Sequence, residues 1–230
     1  MAANWKNVKI EMARYLFLVA GLFTMSLGLV LMIQTNLGVA PWDVFHLGVY
    51  QRLGFLTRGQ VIQGTGFFLV AVSWFLGVRP HVGTVLNMFF VGFFVDFIFF
   101  LDVIHIQGGL VLRLAALLAG ACLMGFGSAT YMTARRGSGP RDSLMVALSR
   151  RTRLSMGLVR TYMEVGVTLT GILLGGPFGV GTFIFALTIG FFLQAGFKFY
   201  DFFKTTPLCR GLLARLDPRG RGLDRRAFHA

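Results

Sequence analysis

The chain has 230 residues, of which 55% are hydrophobic, 25 are Phe and only 13% are charged. A soluble domain of this length needs more polar surface than that, so the composition excludes one. The formal charge of +13 then reads as basic residues gathered on cytoplasmic loops rather than as a nucleic-acid surface.

No charged residue falls between Arg14 and Asp43, between Arg58 and Arg79, between Arg113 and Arg135, or between Glu164 and Lys198. Each stretch can supply the roughly 20 apolar residues that a helix needs to cross a bilayer. The chain reads as an all-α polytopic membrane protein with the lipid bilayer as its solvent.

In chain order, residues 1–13 form a cytoplasmic N-terminus. A first span at 14–34 is read as a retained anchor, because no small-residue cleavage site follows it. Residues 36–43, NLGVAPWD, stop that span and open a short helix at 41–54. Spans at 60–78 and 83–104 complete a first unit, 14–104. A second unit, 112–200, has a span at 112–133, then RRGSGPRD at 135–142, a short helix at 140–150, and spans at 157–175 and 181–200. The segment 201–230 is a basic, Gly/Arg-rich cytoplasmic tail, within which 207–216 reads as a small amphipathic surface helix. Cys122 lies in an apolar run and Cys209 in the tail, which offers neither a disulfide framework nor a metal cluster.

The two units repeat each other. At an offset of 99, Gly21, Gly28, Gly38, Pro41 and Asp43 match Gly120, Gly127, Gly137, Pro140 and Asp142. At 98, Gly59, Gly77, Gly83, Thr84 and Gly92 match Gly157, Gly175, Gly181, Thr182 and Gly190. Self-similarity of this kind decides a fold. Three crossings per unit is odd, so the second unit lies upside down relative to the first, the inverted-topology repeat of many transporters. With the N-terminus inside, 19 of the 22 Lys and Arg fall on the cytoplasmic side and Arg52, Arg58 and Arg113 fall outside, as the positive-inside rule requires. Eight full spans in parallel repeats would split the basic residues almost as well. Length argues against that rival: the residues between Arg141 and Arg150 make roughly 12 Å of helix, against about 30 Å of hydrocarbon. The expected architecture is six spans plus two short re-entrant half-helices.

Pro suits the first turn of a helix, an Asp two residues on faces the free amides there, and a Gly three residues before Pro lets the chain turn sharply. Each phrase is therefore a complete helix restart without any ligand. As a pair in inverted halves, the two restarts point half-helix N-termini at a shared centre, the best sequence pointer to a transporter site. Asn36, Gly38, Pro41, Trp42, Asp43 and His46 line an outer mouth, and Gly137, Pro140, Arg141 and Asp142 an inner one. The aromatic outer mouth and the basic inner mouth, which also carries Arg135 and Arg136, favour an organic or anionic solute over a bare metal cation.

Asp96 sits inside the third span and corresponds to Gln194. An ionisable group there either carries a proton or cation or reaches water at the outer interface; the sequence leaves both open. Arg160 and Glu164, one turn apart, pair with each other or gate the inner side. Asn87, Gln63 and Thr161 are read as hydrogen-bonding between helices. The small residues at 21, 28, 120 and 127 share one face and suit close packing. Histidines 46, 81, 105 and 229 are scattered, and no catalytic motif, phosphate loop or ATP-binding segment occurs. The chain reads as a non-enzyme that needs no cofactor.

Gly28 to Leu47, with its core APWD, and Gly83 to Asp96, GTVLNMFFVGFFVD, resemble the YczE/YyaS/YitT-type family of bacterial membrane proteins. The resemblance covers most of residues 14–200. It implies a multi-pass protein of the bacterial cytoplasmic (inner) membrane and supplies no substrate. The leading expectation is a small secondary transporter or permease for a small solute, working as a homo-oligomer. A channel-like pore and a non-transporting subunit of another membrane complex are the alternatives.

Overall fold

The structure is a computed structural model that describes residues 2–137 and 139–205. Among the described residues there are eight α-helices and no strand: α1 (Ala2–Gln34), α2 (Pro41–Leu53), α3 (Arg58–Phe75), α4 (Val82–Leu101), α5 (Leu110–Thr133), α6 (Pro140–Thr152), α7 (Met156–Leu173) and α8 (Val180–Thr205). All eight expected helices are present, and α1 extends well to the N-terminal side of the first span read from the sequence. The expected amphipathic segment at 207–216 lies outside the described residues.

Four helices are long and apolar enough to cross a membrane, over Glu11–Gln34, Val82–Leu101, Leu110–Thr133 and Val180–Phe202. The 18-residue α3 and α7 reach about 27 Å at 1.5 Å per residue. The 13-residue α2 and α6 reach only about 20 Å, short of the roughly 30 Å hydrocarbon thickness.

The centre of the bundle is the crossing of α1 and α5. Leu18, Leu22, Met32 and Leu117 are all but fully buried there. A methyl added to Gly28 would lie 2.5 Å from the Gly120 carbonyl oxygen, and one added to Gly21 would lie 2.8 Å from that of Gly127. Gly21 thus sits by Gly127 and Gly28 by Gly120, so the two helices run antiparallel. Helix α4 packs on α1, α8 on α5, α7 on α2 and α6 on α3. The periphery is the reverse of a soluble protein: Phe67, Phe75, Phe100, Leu187 and Phe191 are mostly exposed, as suits side chains whose solvent is lipid.

The breaks in the helices come in pairs. Asn36 and Arg135 both adopt left-handed backbone, with φ of 51° and 53°, and Gly38 and Gly137 follow with φ of 111° and 135°. That conformation suits glycine, which lacks the clashing Cβ. The Gly83 N–H donates to the Arg136 carbonyl (2.9 Å) and the Gly181 N–H to the Leu37 carbonyl (2.7 Å). Each break is thereby pinned to the start of a helix from the other half of the chain. The free carbonyls after α1 are satisfied by Arg113 of α5, whose Nε donates to Thr35 (2.6 Å) and whose guanidinium also donates to Asn36 (3.0 Å), a cation at a helix C-terminus where the dipole favours it.

Candidate functional site where two short helices meet

Pro41 and Pro140 each occupy the first turn of a short helix. The start of α6 reaches that of α2 through a side chain: the Arg141 guanidinium carbon is 5.4 Å from the centre of the Trp42 ring, within cation–π range. The two phrases, far apart in sequence, are thus brought into contact.

Their aspartates behave differently. Asp142 accepts a hydrogen bond from the Gly139 N–H at 3.2 Å, the expected cap on α6. Asp43 does not cap α2, whose N-cap residue is Ala40 with no side-chain hydrogen bond. It turns instead along its helix, where Oδ1 lies 3.2 Å from His46 Nδ1. The sequence expectation that both aspartates face free amides therefore holds for Asp142 and fails for Asp43: a ring one turn along offers a closer partner. Asp43 and His46 are 3% and 7% exposed. The second Asp43 oxygen, Oδ2, is buried with no hydrogen-bond partner.

Polar groups collect around the start of α6 as well. A methyl added at Gly139 would come within 3.6 Å of Asp142 Oδ2 and of the Tyr131 hydroxyl, and within 3.8 Å of Asn87 Oδ1. Tyr131 and Asn87 are buried. The sequence reads Asn87 as a packing residue and does not single out Tyr131, whose one signal is its place four residues ahead of the left-handed Arg135. Arg160 lies within electrostatic reach of Asp142, while its side chain forms an exposed pair with Glu164 at 3.0 Å. Among the described residues no three His, Cys, Asp or Glu side chains form a group able to hold a metal.

Asp96 is engaged elsewhere. Its carboxylate accepts from the Gly59 N–H at 2.8 Å and from the Thr57 hydroxyl, which fastens α4 to the first turn of α3. Thr57 also forms a reciprocal box with Gln60, Gln60 N–H to Thr57 Oγ1 at 3.1 Å and Thr57 N–H to Gln60 Oε1 at 2.9 Å. Gln194 is exposed. Asn36 contributes its backbone carbonyl to Arg113. The geometry brings together a buried carboxylate with one open oxygen, an imidazole, an indole face and a guanidinium.

Comparison with known proteins gives the chain its relatives. The model of a family of unknown function, DUF6198, matches residues 12–198. The chain is 35% identical over 184 residues to the uncharacterized membrane protein YczE of Bacillus subtilis, covering 79% of this chain and 84% of that one. It is 33% identical over 199 residues to an uncharacterized protein of Haemophilus influenzae, covering 83% and 88%. It is 24% identical over 173 residues to the uncharacterized protein YyaS of Bacillus subtilis, covering 74% and 86%. No solved structure matches it. The chain belongs to the DUF6198 family and is a multi-pass membrane protein of the YczE type.

Proposed function

We propose that the protein is a small secondary transporter, a non-enzyme built as two inverted units of three spans and one half-helix each. The antiparallel crossing of α1 and α5 supports inversion, since these helices occupy corresponding places in the two units. The reciprocal hydrogen bonds that pin the two breaks support it too. The distribution of Lys and Arg supports an orientation with both termini in the cytoplasm, in the bacterial inner membrane. Helix α2 then enters from outside and α6 from the cytoplasm, and their N-termini meet within the protein.

The observation that carries this reading is the open oxygen of Asp43 beside that meeting point. A buried acceptor left without a donor costs about 1–3 kcal/mol. Ionisable groups at membrane depth mark solute and proton paths. In this reading the missing donor is a proton or the polar head of a small organic solute, with Trp42 and His46 lining the outer approach and Arg141 and Asp142 the inner one. Broken backbone at this depth is tolerated where it is buried in protein or lines a wet cavity.

A thermal-stabilisation screen of the purified protein against small organic solutes tests the site. A stabilising solute should lose its effect in Asp43→Asn and in Asp142→Asn, and its flux into vesicles should saturate. A solute that stabilises both variants as it does the parent would place binding elsewhere.

A further inference from the structure

The two units differ most where the repeat should make them alike. Thr57, Gly59, Gly92 and Asp96 correspond to Ser155, Gly157, Gly190 and Gln194, each 98 residues on. In the first unit these residues close α3 on α4. A methyl at Gly59 would run into the Gly92 carbonyl oxygen, and one at Gly92 into that of Gly59. Asp96 ties down the first turn of α3, and Gln63 Nε2 donates across to the Phe89 carbonyl at 2.9 Å.

In the second unit none of this is made. A methyl at Gly157 or at Gly190 would meet nothing within 4 Å. Ser155 caps only its own helix, accepting from the Leu158 N–H at 3.3 Å. Thr161, in the place of Gln63, bonds back to the Gly157 carbonyl of its own helix at 3.0 Å. Gln194 is exposed, and Leu187, in the place of Phe89, is 84% exposed. Helix α7 packs on α2 and α6, with no packing on α8 comparable to that of α3 on α4.

We infer that α3–α4 and α7–α8 are the two gates of one alternating cycle, the first closed and the second open in this structure. The inference rests on the inverted repeat proposed above. The parts for closing the second gate are in place: two glycines that allow close approach, and a Gln whose amide oxygen can accept from the Gly157 N–H and the Ser155 hydroxyl as Asp96 accepts from Gly59 and Thr57. In the proposed orientation the closed gate is at the outer surface and the open one faces the cytoplasm. Asp96 is thus the latch of the outer gate and Gln194 its inner counterpart. A carboxylate at a helix N-terminus holds more strongly than a neutral amide, so the resting balance favours the outer gate closed.

Disulfide trapping in the full chain tests this. In a Cys122→Ser, Cys209→Ser background, Thr57→Cys with Asp96→Cys probes the outer gate and Ser155→Cys with Gln194→Cys the inner one. Membranes are oxidised and each linkage is read by mass spectrometry after digestion, with intermolecular products separated on a non-reducing gel. Both pairs should link within one chain, and a protein carrying all four cysteines should form one linkage or the other in each molecule. With the second pair in place, Asp96→Ala should raise its yield by up to about fivefold, the strength of a charged group at a helix end. Three results would overturn the inference: no 155–194 linkage while 57–96 forms, both linkages together in one molecule, or a 155–194 linkage only between chains, which would show a second copy covering that face. The trapping needs no substrate, so its failure is separate from a failure of the proposed binding site.

Discussion

The interface between α3 and α4 and the space between α7 and α8 use nearly the same residues to opposite effect. In the first, glycines bring two backbones together and a carboxylate ties them; in the second, the equivalent glycines face open space. Composition alone therefore does not close a helix pair. Small residues permit close approach, and in the first pair Asp96 also ties the end of the contact. The contrast also separates two roles for polar residues in apolar helices: Asp96 satisfies a neighbouring helix, whereas Asp43 keeps an oxygen unsatisfied.

The largest expected effect breaks the close pair. Gly59→Leu forces a side chain into the Gly92 backbone and should destabilise the protein by about 3 kcal/mol or more, while Gly157→Leu should cost less than about 0.5 kcal/mol and, by blocking closure of α7 on α8, abolish saturable flux. Thermal unfolding in detergent, paired with a vesicle assay, checks both. A smaller effect comes from the latch: Asp96→Ala removes a carboxylate from the first turn of α3 and should cost up to about 1 kcal/mol, against about 0.5 kcal/mol or less for Gln194→Ala. Unfolding midpoints of the two variants under one set of conditions decide it. Smallest of all is the surface pair. Arg160→Gln breaks an exposed i,i+4 ion pair with Glu164 and should shift stability by about 0.3–0.5 kcal/mol, with the difference shrinking at high salt.

Much of this fold is legible in the sequence because apolar length and glycine punctuation are local signals. The charge-free runs locate the long helices, and Pro41 and Pro140 mark the first residues of α2 and α6. The left-handed turns at Gly38 and Gly137 follow from the same local chemistry. What is not legible depends on contacts between distant segments. Nothing near Trp42 indicates that Arg141 will stack on it. Asp96 reads in the sequence as a proton carrier or an interfacial group, yet its partner is the first turn of another helix; the Thr57–Gln60 box lies at that turn but does not say what will reach it. Asp43 and Asp142 hold the same place in the repeat, and a neighbour sets them apart. His46 stands one turn beyond Asp43 and draws its carboxylate along the helix. The matching position in α6 is Met145, which offers no such partner, so Asp142 stays on its cap.

The most direct test of the inverted architecture is the side from which each break is reached. Single cysteines placed along 36–43 and along 135–142, in the cysteine-free background, would be labelled in right-side-out and inside-out vesicles with a thiol reagent that does not cross membranes. The first segment should react from the outside and the second from the cytoplasmic side. Labelling of both segments from the same side, as eight full spans in parallel repeats would give, would contradict the inverted architecture.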